Sequence, residues 1–212
     1  PQLTPGIYTI TVTQPGFSTV VRRKIEVRVN DRLRVDFSLQ VGAVTEVVAV
    51  TATTPLLQVE DATNGQVVDN QKITELPLNG RNWLQLATLS PATVTYSNTV
   101  AASNQGIGMN VGGLRGNQTT YLLDGADNTM FIGGGGALIG PPVDALQEFK
   151  VQTNNYTADT NGFSGAVLNA TIKSGTNAFH GTAFEFLRNR ELNARNFFAN
   201  PAAVKPQFSR NQ

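Results

Sequence analysis

The sequence predicts an α+β fold in which antiparallel strands outnumber short helices and long loops join them. Three patterns predict it. Residues 1–42 alternate apolar and polar side chains with a period of two between turn signals, the mark of half-buried antiparallel strands. Two short stretches, Asp69 to Leu76 and Trp83 to Leu89, carry helical signals. The run from Leu146 to Arg188 reads as strand, Gly-rich turn, strand, turn, strand.

In residues 1–42, Tyr8, Ile10 and Val12 alternate with threonines, and Pro15-Gly16 marks a turn. Ile25, Val27 and Val29 alternate with Lys24, Glu26 and Arg28, and Asn30-Asp31 marks a second turn. Leu33, Val35, Phe37, Leu39 and Val41 then predict a third strand. Three such strands have one apolar face and need a second layer, so the segment reads as part of an antiparallel β-sandwich whose other strands lie upstream of Pro1. Residues 43–58 are β-prone without clean alternation and end at Thr54-Pro55, as an extended interdomain linker would.

Residues 59–175 mix elements. Asp69 or Asn70 is placed to cap a helix that Pro77 follows, and Trp83, Leu84, Leu86, Ala87 and Leu89 keep i, i+3, i+4 spacing until Ser90-Pro91. Residues 92–108 read as a loop. Val111 to Gly116 and Thr119 to Leu123 read as short strands, and Asp124-Gly125 as a turn. Ala126 to Pro142, with four consecutive glycines, reads as a long loop. One helical turn is expected at Val143 to Leu146, with strands at Glu148 to Thr153 and Gly165 to Ile172. Loops this long within a domain are usually functional or enclosed by other structure. A further strand is expected from Phe179 to Leu187, and another beginning at Phe208.

Composition narrows function. The 212 residues carry a formal net charge of +1, so no nucleic-acid partner is implied. With no cysteine, disulfides and thiolate metal sites are excluded, and the single histidine, His180, excludes a histidine cluster. Asp124 and Asp127 have no evident catalytic partner and read as turn formers. The four-glycine loop lacks the Lys-Ser/Thr ending of a phosphate cradle. No catalytic residue, cofactor site or metal site is assigned, and a non-enzyme is expected. No apolar run reaches the ~20 residues of a membrane helix. The chain reads as a segment of a longer protein.

Two motifs are more specific. Glu46-Val47-Val48-Ala49-Val50-Thr51-Ala52 resembles the energy-coupling segment of TonB-dependent outer-membrane receptors, a β-prone stretch that strand addition to a partner sheet can capture. Downstream, Leu114-Arg115-Gly116, Leu123-Asp124-Gly125, Glu148 within Leu146 to Val151, and Gly165 to Asn169 closing at Lys173 follow in order the pattern of the plug domain of those receptors. Phe149 departs from it by replacing an aliphatic residue, and Ser164-Gly165 replaces a glycine pair. Residues 5–41 resemble the last strands of a carboxypeptidase-regulatory-like sandwich found in the Oar-like subgroup.

The resemblance implies four parts: the end of that sandwich at 1–42, a linker with the coupling segment at 43–58, a plug at 59–175, and the start of a transmembrane β-barrel at 176–212. Phe184 and Phe186 would share one face of a barrel strand, with Ala183 and Glu185 on the other. The implied partners are the TonB C-terminal domain, the chain's own barrel, the outer membrane and a transported ligand of unknown identity. Plug and N-terminal module would face the periplasm. The loops Thr93 to Gly108 and Phe131 to Gly140 are expected to face substrate. The rival reading is a secreted β-rich adhesion or carbohydrate-binding module, in which every strand is paired within a soluble unit.

Overall fold

The computed structural model describes residues 3–42, 47–51, 64–97, 107–130, 135–154, 164–195, 197–198, 200 and 204–211. The chain divides into two compact units, Pro1–Lys173 and Ser174–Gln212. It is a mixed α/β structure with few helices.

The first unit begins with β1 (Gly6–Val12) and β2 (Thr19–Val27), an antiparallel pair. Gly16, at φ 83°, sits in the intervening turn. Alternate residues of β1 are half-buried, as its period-two pattern dictates. The register slips between Tyr8 and Ile10, and opposite that slip Lys24 takes a positive φ of 61°, as at a β-bulge. β3 (Val47–Thr51) then pairs parallel to β2, so the segment read as a linker includes the third strand of this sheet.

The strand expected from Leu33 to Val41 does not form. Burial alternates along it as the sequence pattern demands, yet only its end is tied into the module. Phe17 forms an isolated bridge to Val41, and the Ser18 amide donates to the Gln40 carbonyl at 2.9 Å. Alternation fixes which side of an extended chain is covered; a ladder also needs a neighbouring strand in register.

The rest of the unit centres on a mixed sheet. β4 (Asn64–Asp69) runs directly into α1 (Asn70–Glu75). Asp69 caps the helix by accepting the Lys72 amide at 2.9 Å, and Leu76 precedes Pro77 at its end. Trp83–Leu89 forms a 3₁₀ helix with Trp83, Leu84, Leu86 and Ala87 buried. The stretch read as a loop over 92–108 instead begins and ends in a hairpin of β5 (Thr93–Ser97) and β6 (Ile107–Val111); residues 98–106 lie outside the described residues. The strand expected over Val111 to Gly116 stops at Val111, because Gly112 and Gly113 both take positive φ.

β7 (Thr120–Leu123) and β8 (Ala126–Asp127) flank the Asp124-Gly125 turn, whose φ values of 50° and 80° are the left-handed pair a tight hairpin requires. Short pairs β9 (Thr129–Met130) and β10 (Gly136–Ala137) interrupt the segment read as a continuous loop. β11 (Leu146–Asn154) and β12 (Val167–Ile172) complete the sheet, ordered β4-β11-β12-β7-β8 with only β12 and β7 parallel.

Register separates the two faces of this sheet. Val68, Phe149, Val151, Leu168, Ala170 and Tyr121 lie on one face and are buried with Ile73, Trp83 and Leu84. The Trp83 and Phe149 rings meet at 5.1 Å between centroids. The opposite face carries Glu148, Lys150, Gln152, Asn169 and Thr171.

In the second unit the strand expected over Phe179 to Leu187 is mostly absent. β13 (Leu187–Asn189) and β14 (Ser209–Asn211) form its small antiparallel ladder. Arg188 stacks over the Phe208 ring at 5.0 Å. Phe179, Phe184 and Phe186 precede the ladder and are exposed, with the Phe184 and Phe186 rings 5.8 Å apart.

Candidate functional site

The residues of the plug-like motifs hold the sheet together. Arg115 precedes a 3₁₀ turn, Gly116–Gln118, in which Gly116 is buried. Leu123 ends β7, and Asp124 beyond it receives the Ile172 amide on its carboxylate at 2.9 Å while its own amide donates to the Ala170 carbonyl at 2.8 Å. That clip joins the turn at Gly125 to the end of β12. Gly165 enters β12 against the backbone of Gln118, donating its amide to that carbonyl at 3.0 Å. The Lys173 amide bonds the Ala145 carbonyl at 2.8 Å and closes the strand on the turn before β11. Asp124, Gly165 and Lys173 thus tie strand ends together, and no reacting pair emerges among the described residues.

Among the described residues no group of three or more His, Cys, Asp or Glu side chains could hold a metal. His180 is exposed. No described helix is long and apolar enough to cross a membrane, which leaves crossing by strands open.

The coupling-like segment is an edge strand. Val47 to Thr51 pair parallel with Thr19 to Arg23, and the opposite edge of β3 pairs with no strand among the described residues. Glu46 and Ala52, the ends of the motif, lie outside the described residues.

The expected substrate-facing loops are partly visible. A cleft of about 420 Å³ is lined by Tyr96, Asn110, Leu114, Arg115 and Asn117. Tyr96 and Asn110 stand on β5 and β6, the arms of the Thr93–Gly108 loop, and burial pushes the Tyr96 phenol above its ordinary range. Of the second loop, residues 131–134 lie outside the described residues; Gly135, Gly136 and Ala137 are buried, while Leu138 and Ile139 are exposed.

Glu148 and Asn169 share the polar face of the sheet, and sequence reading missed the residues between and opposite them. Lys150 is only 3% exposed and Gln152 4%. Over them sits the turn Arg28 to Asp31. The Val29 amide donates to Glu148 Oε1, and Lys150 Nζ lies 3.6 Å from Asp31 Oδ1. Asn169 Nδ2 donates to Asn30 Oδ1 at 2.8 Å, and Asn30 Nδ2 reaches Gln152 Oε1 at 3.5 Å. Burial raises the Glu148 pKa; the Val29 amide and Arg28 oppose that rise, and Asp31 and Glu26 add to it. The signal available in the sequence was the strict alternation of Glu148, Lys150 and Gln152 with Phe149 and Val151, which fixes a polar face without saying what covers it.

Over 193 residues, 87% of its length, the chain is 28% identical to the TonB-dependent transporter Oar of Myxococcus xanthus. The chain spans 17% of the length of this curated relative of the TonB-dependent class. Residues 171–212 match a family model described as an outer membrane beta barrel domain. Among solved structures, the outer membrane transporter YddB of Escherichia coli aligns with 52% of this chain and 17% of its own, at a TM-score of 0.44 and 21% identity. The ferric enterobactin receptor PfeA of Pseudomonas aeruginosa aligns with 55% of this chain and 18% of its own, at a TM-score of 0.42 and 18% identity.

Proposed function

We propose that this chain is the plug region of a TonB-dependent outer-membrane receptor that gates energy-coupled uptake of a substrate through a β-barrel. The observation that carries this reading is the homology to a TonB-dependent transporter over most of the chain. The barrel-domain match of residues 171–212 supports an outer-membrane location, and in this reading the plug and the N-terminal module lie on the periplasmic side.

In this reading the plug closes the barrel lumen, and the loops around Tyr96, Asn110 and Leu138 face the transported ligand. Glu46 to Ala52 is where the TonB C-terminal domain takes hold. Strand addition suits that segment physically: β3 is extended, and among the described residues no strand pairs with its outer edge. Force applied there would then displace or remodel the plug.

The test is direct. A peptide spanning Val44 to Thr54 is titrated with a TonB C-terminal domain, beside the same peptide carrying Val48→Pro. Proline removes one backbone donor and resists a sheet interior, so affinity is expected to fall at least tenfold. Equal affinities would overturn strand addition at this segment.

A further inference from the structure

We propose that the connection between β13 and β14 anchors the second unit to a lipid surface rich in anionic head groups. Phe197 and Phe198 insert at head-group level, and Arg195 and Lys205 lie against the phosphates. The proposal rests on the outer-membrane reading of residues 171–212 and adds to it a lipid contact made by a loop rather than by a strand.

The first argument is the build of the loop. Hairpin connections ordinarily run about 2–5 residues, and ones beyond about 12–15 are usually functional or disordered. Here residues 190–208 join β13 to β14. Their described members are tied to one another. The Arg190 amide donates to the Phe208 carbonyl at 2.9 Å and closes the base. The Asn189 carboxamide oxygen accepts the Glu191 and Leu192 amides at 2.9 and 3.1 Å. Further out, Lys205 Nζ donates to the Asn193 carbonyl, and Arg195 Nη1 to the Asn200 carbonyl at 2.8 Å. Two cations thus stitch the loop together while staying at its surface.

What this bracing presents to solvent is apolar. Phe197 and Phe198 are each 91% exposed, and Val204 and Leu192 are exposed as well. The two rings meet edge to face, 5.3 Å between centroids, and so shield each other little. Apolar side chains clustered on a braced surface mark a contact with something else.

Charge selects the occupant. Residues 174–212 hold five cations, Arg188, Arg190, Arg195, Lys205 and Arg210, against two carboxylates, Glu185 and Glu191, although the whole chain has a formal net charge of only +1. Of those carboxylates, Glu191 is taken up by Arg190 at 2.6 Å. The excess positive charge therefore lies in the unit that carries the exposed rings. An apolar protein surface would leave that charge unused, whereas an anionic leaflet engages both. Aromatic rings lodge at the membrane–water interface, and each Lys or Arg near an anionic surface adds attraction. Long Lys and Arg stems let the charge stay with the phosphates while neighbouring rings go deeper. The aromatic girdles of a barrel stand on its strands; Phe197 and Phe198 stand on a connection, so theirs is an additional anchor.

Vesicle binding by the full 212-residue chain tests the anchor. Phe197→Trp adds a reporter beside Trp83, which is buried and keeps its own emission. Vesicles of equal parts phosphatidylglycerol and phosphatidylcholine are expected to shift the added emission to the blue and to make it quenchable by brominated acyl chains. Phosphatidylcholine alone should bind at least tenfold more weakly. Replacing both rings, Phe197→Ser with Phe198→Ser, should lower the partition coefficient on the anionic vesicles at least tenfold, whereas Phe184→Ser with Phe186→Ser should keep it within about threefold. Flotation measures these coefficients. Wild-type binding by the Phe197 and Phe198 variant overturns the anchor, as does equal binding to the two vesicle types. So does a Phe197→Trp emission that shifts with protein concentration and not with vesicles, which would make a second copy of the chain the occupant. All of these outcomes are separate from the TonB titration, so the anchor can fail while the receptor reading stands.

Discussion

At the scale of single residues, Gly165 shows how a motif position can be structural without being chemical. A Cβ built on it would lie 2.5 Å from the Gln118 carbonyl oxygen and 2.9 Å from its carbon, both backbone atoms that cannot rotate away. Gly175, by contrast, has nothing within 4 Å of its would-be Cβ. Gly165→Ala is expected to cost about 1–3 kcal/mol through overpacking, a fall of several degrees in thermal midpoint for a chain of this size. Gly175→Ala should leave the midpoint within a degree. Melting curves of the two variants, followed by circular dichroism, check the contrast. The sequence marked Gly165 as a motif member, but nothing in it said which backbone presses against the glycine: Gln118 is far away in sequence and meets it only because β7 and β12 run parallel.

Among elements, α1 was legible almost to its ends and also gives a pH signature. Its cap, its proline stop and its buried Ile73 all follow from local chemistry. The Lys72 amide, bonded to the Asp69 carboxylate, holds that group's pKa below its ordinary 3.8, against an opposing desolvation and with help from the Lys72 side chain. A carboxyl depressed in this way contributes stability above its unfolded value, and that contribution is lost as pH falls through the folded one. Asp69→Ala should therefore cost about 1 kcal/mol near neutral pH, and the penalty should shrink as pH falls below 3.8 toward the lower folded value. Urea melts of both proteins across that range measure the crossover.

Strands were less legible than the helix. Leu33 to Val41 alternates as well as β1 does, yet forms no ladder, because pairing depends on a neighbour that no local pattern encodes. The arms of the 92–108 stretch do pair, although small and polar residues between them read as a loop. In Glu148 to Gln152 the alternation implies two faces but does not say what covers the polar one; its cover comes from a turn more than a hundred residues earlier.

On the scale of the whole molecule, the two units differ in how they bury apolar surface. The first has a contiguous core around Trp83, Phe149 and Tyr121. The second leaves Phe179, Phe184, Phe186, Phe197 and Phe198 exposed, with Phe179 fully so. Surface of this kind marks contact with further structure. Exposed backbone without ladder bonds is also where proteases act. Limited chymotrypsin treatment is expected to cut first after Phe179, Phe184 or Phe186 and to leave a resistant body retaining Trp83. Mass spectrometry of the early fragments is the check; a first cut after Phe149 or Tyr121 would contradict the division.

The order of strands in the mixed sheet also sets a timetable. β4 begins at residue 64, but the strand it pairs with, β11, begins only at residue 146. A chain emerging from its N-terminus must therefore deliver roughly 80 further residues before that pair can form. Through that interval β4 has no sheet partner and the side chains of α1 no floor to pack on. Distant pairings of this kind slow folding, so the mixed sheet closes late, only when β11 has arrived to join β4 on one side and β12 on the other.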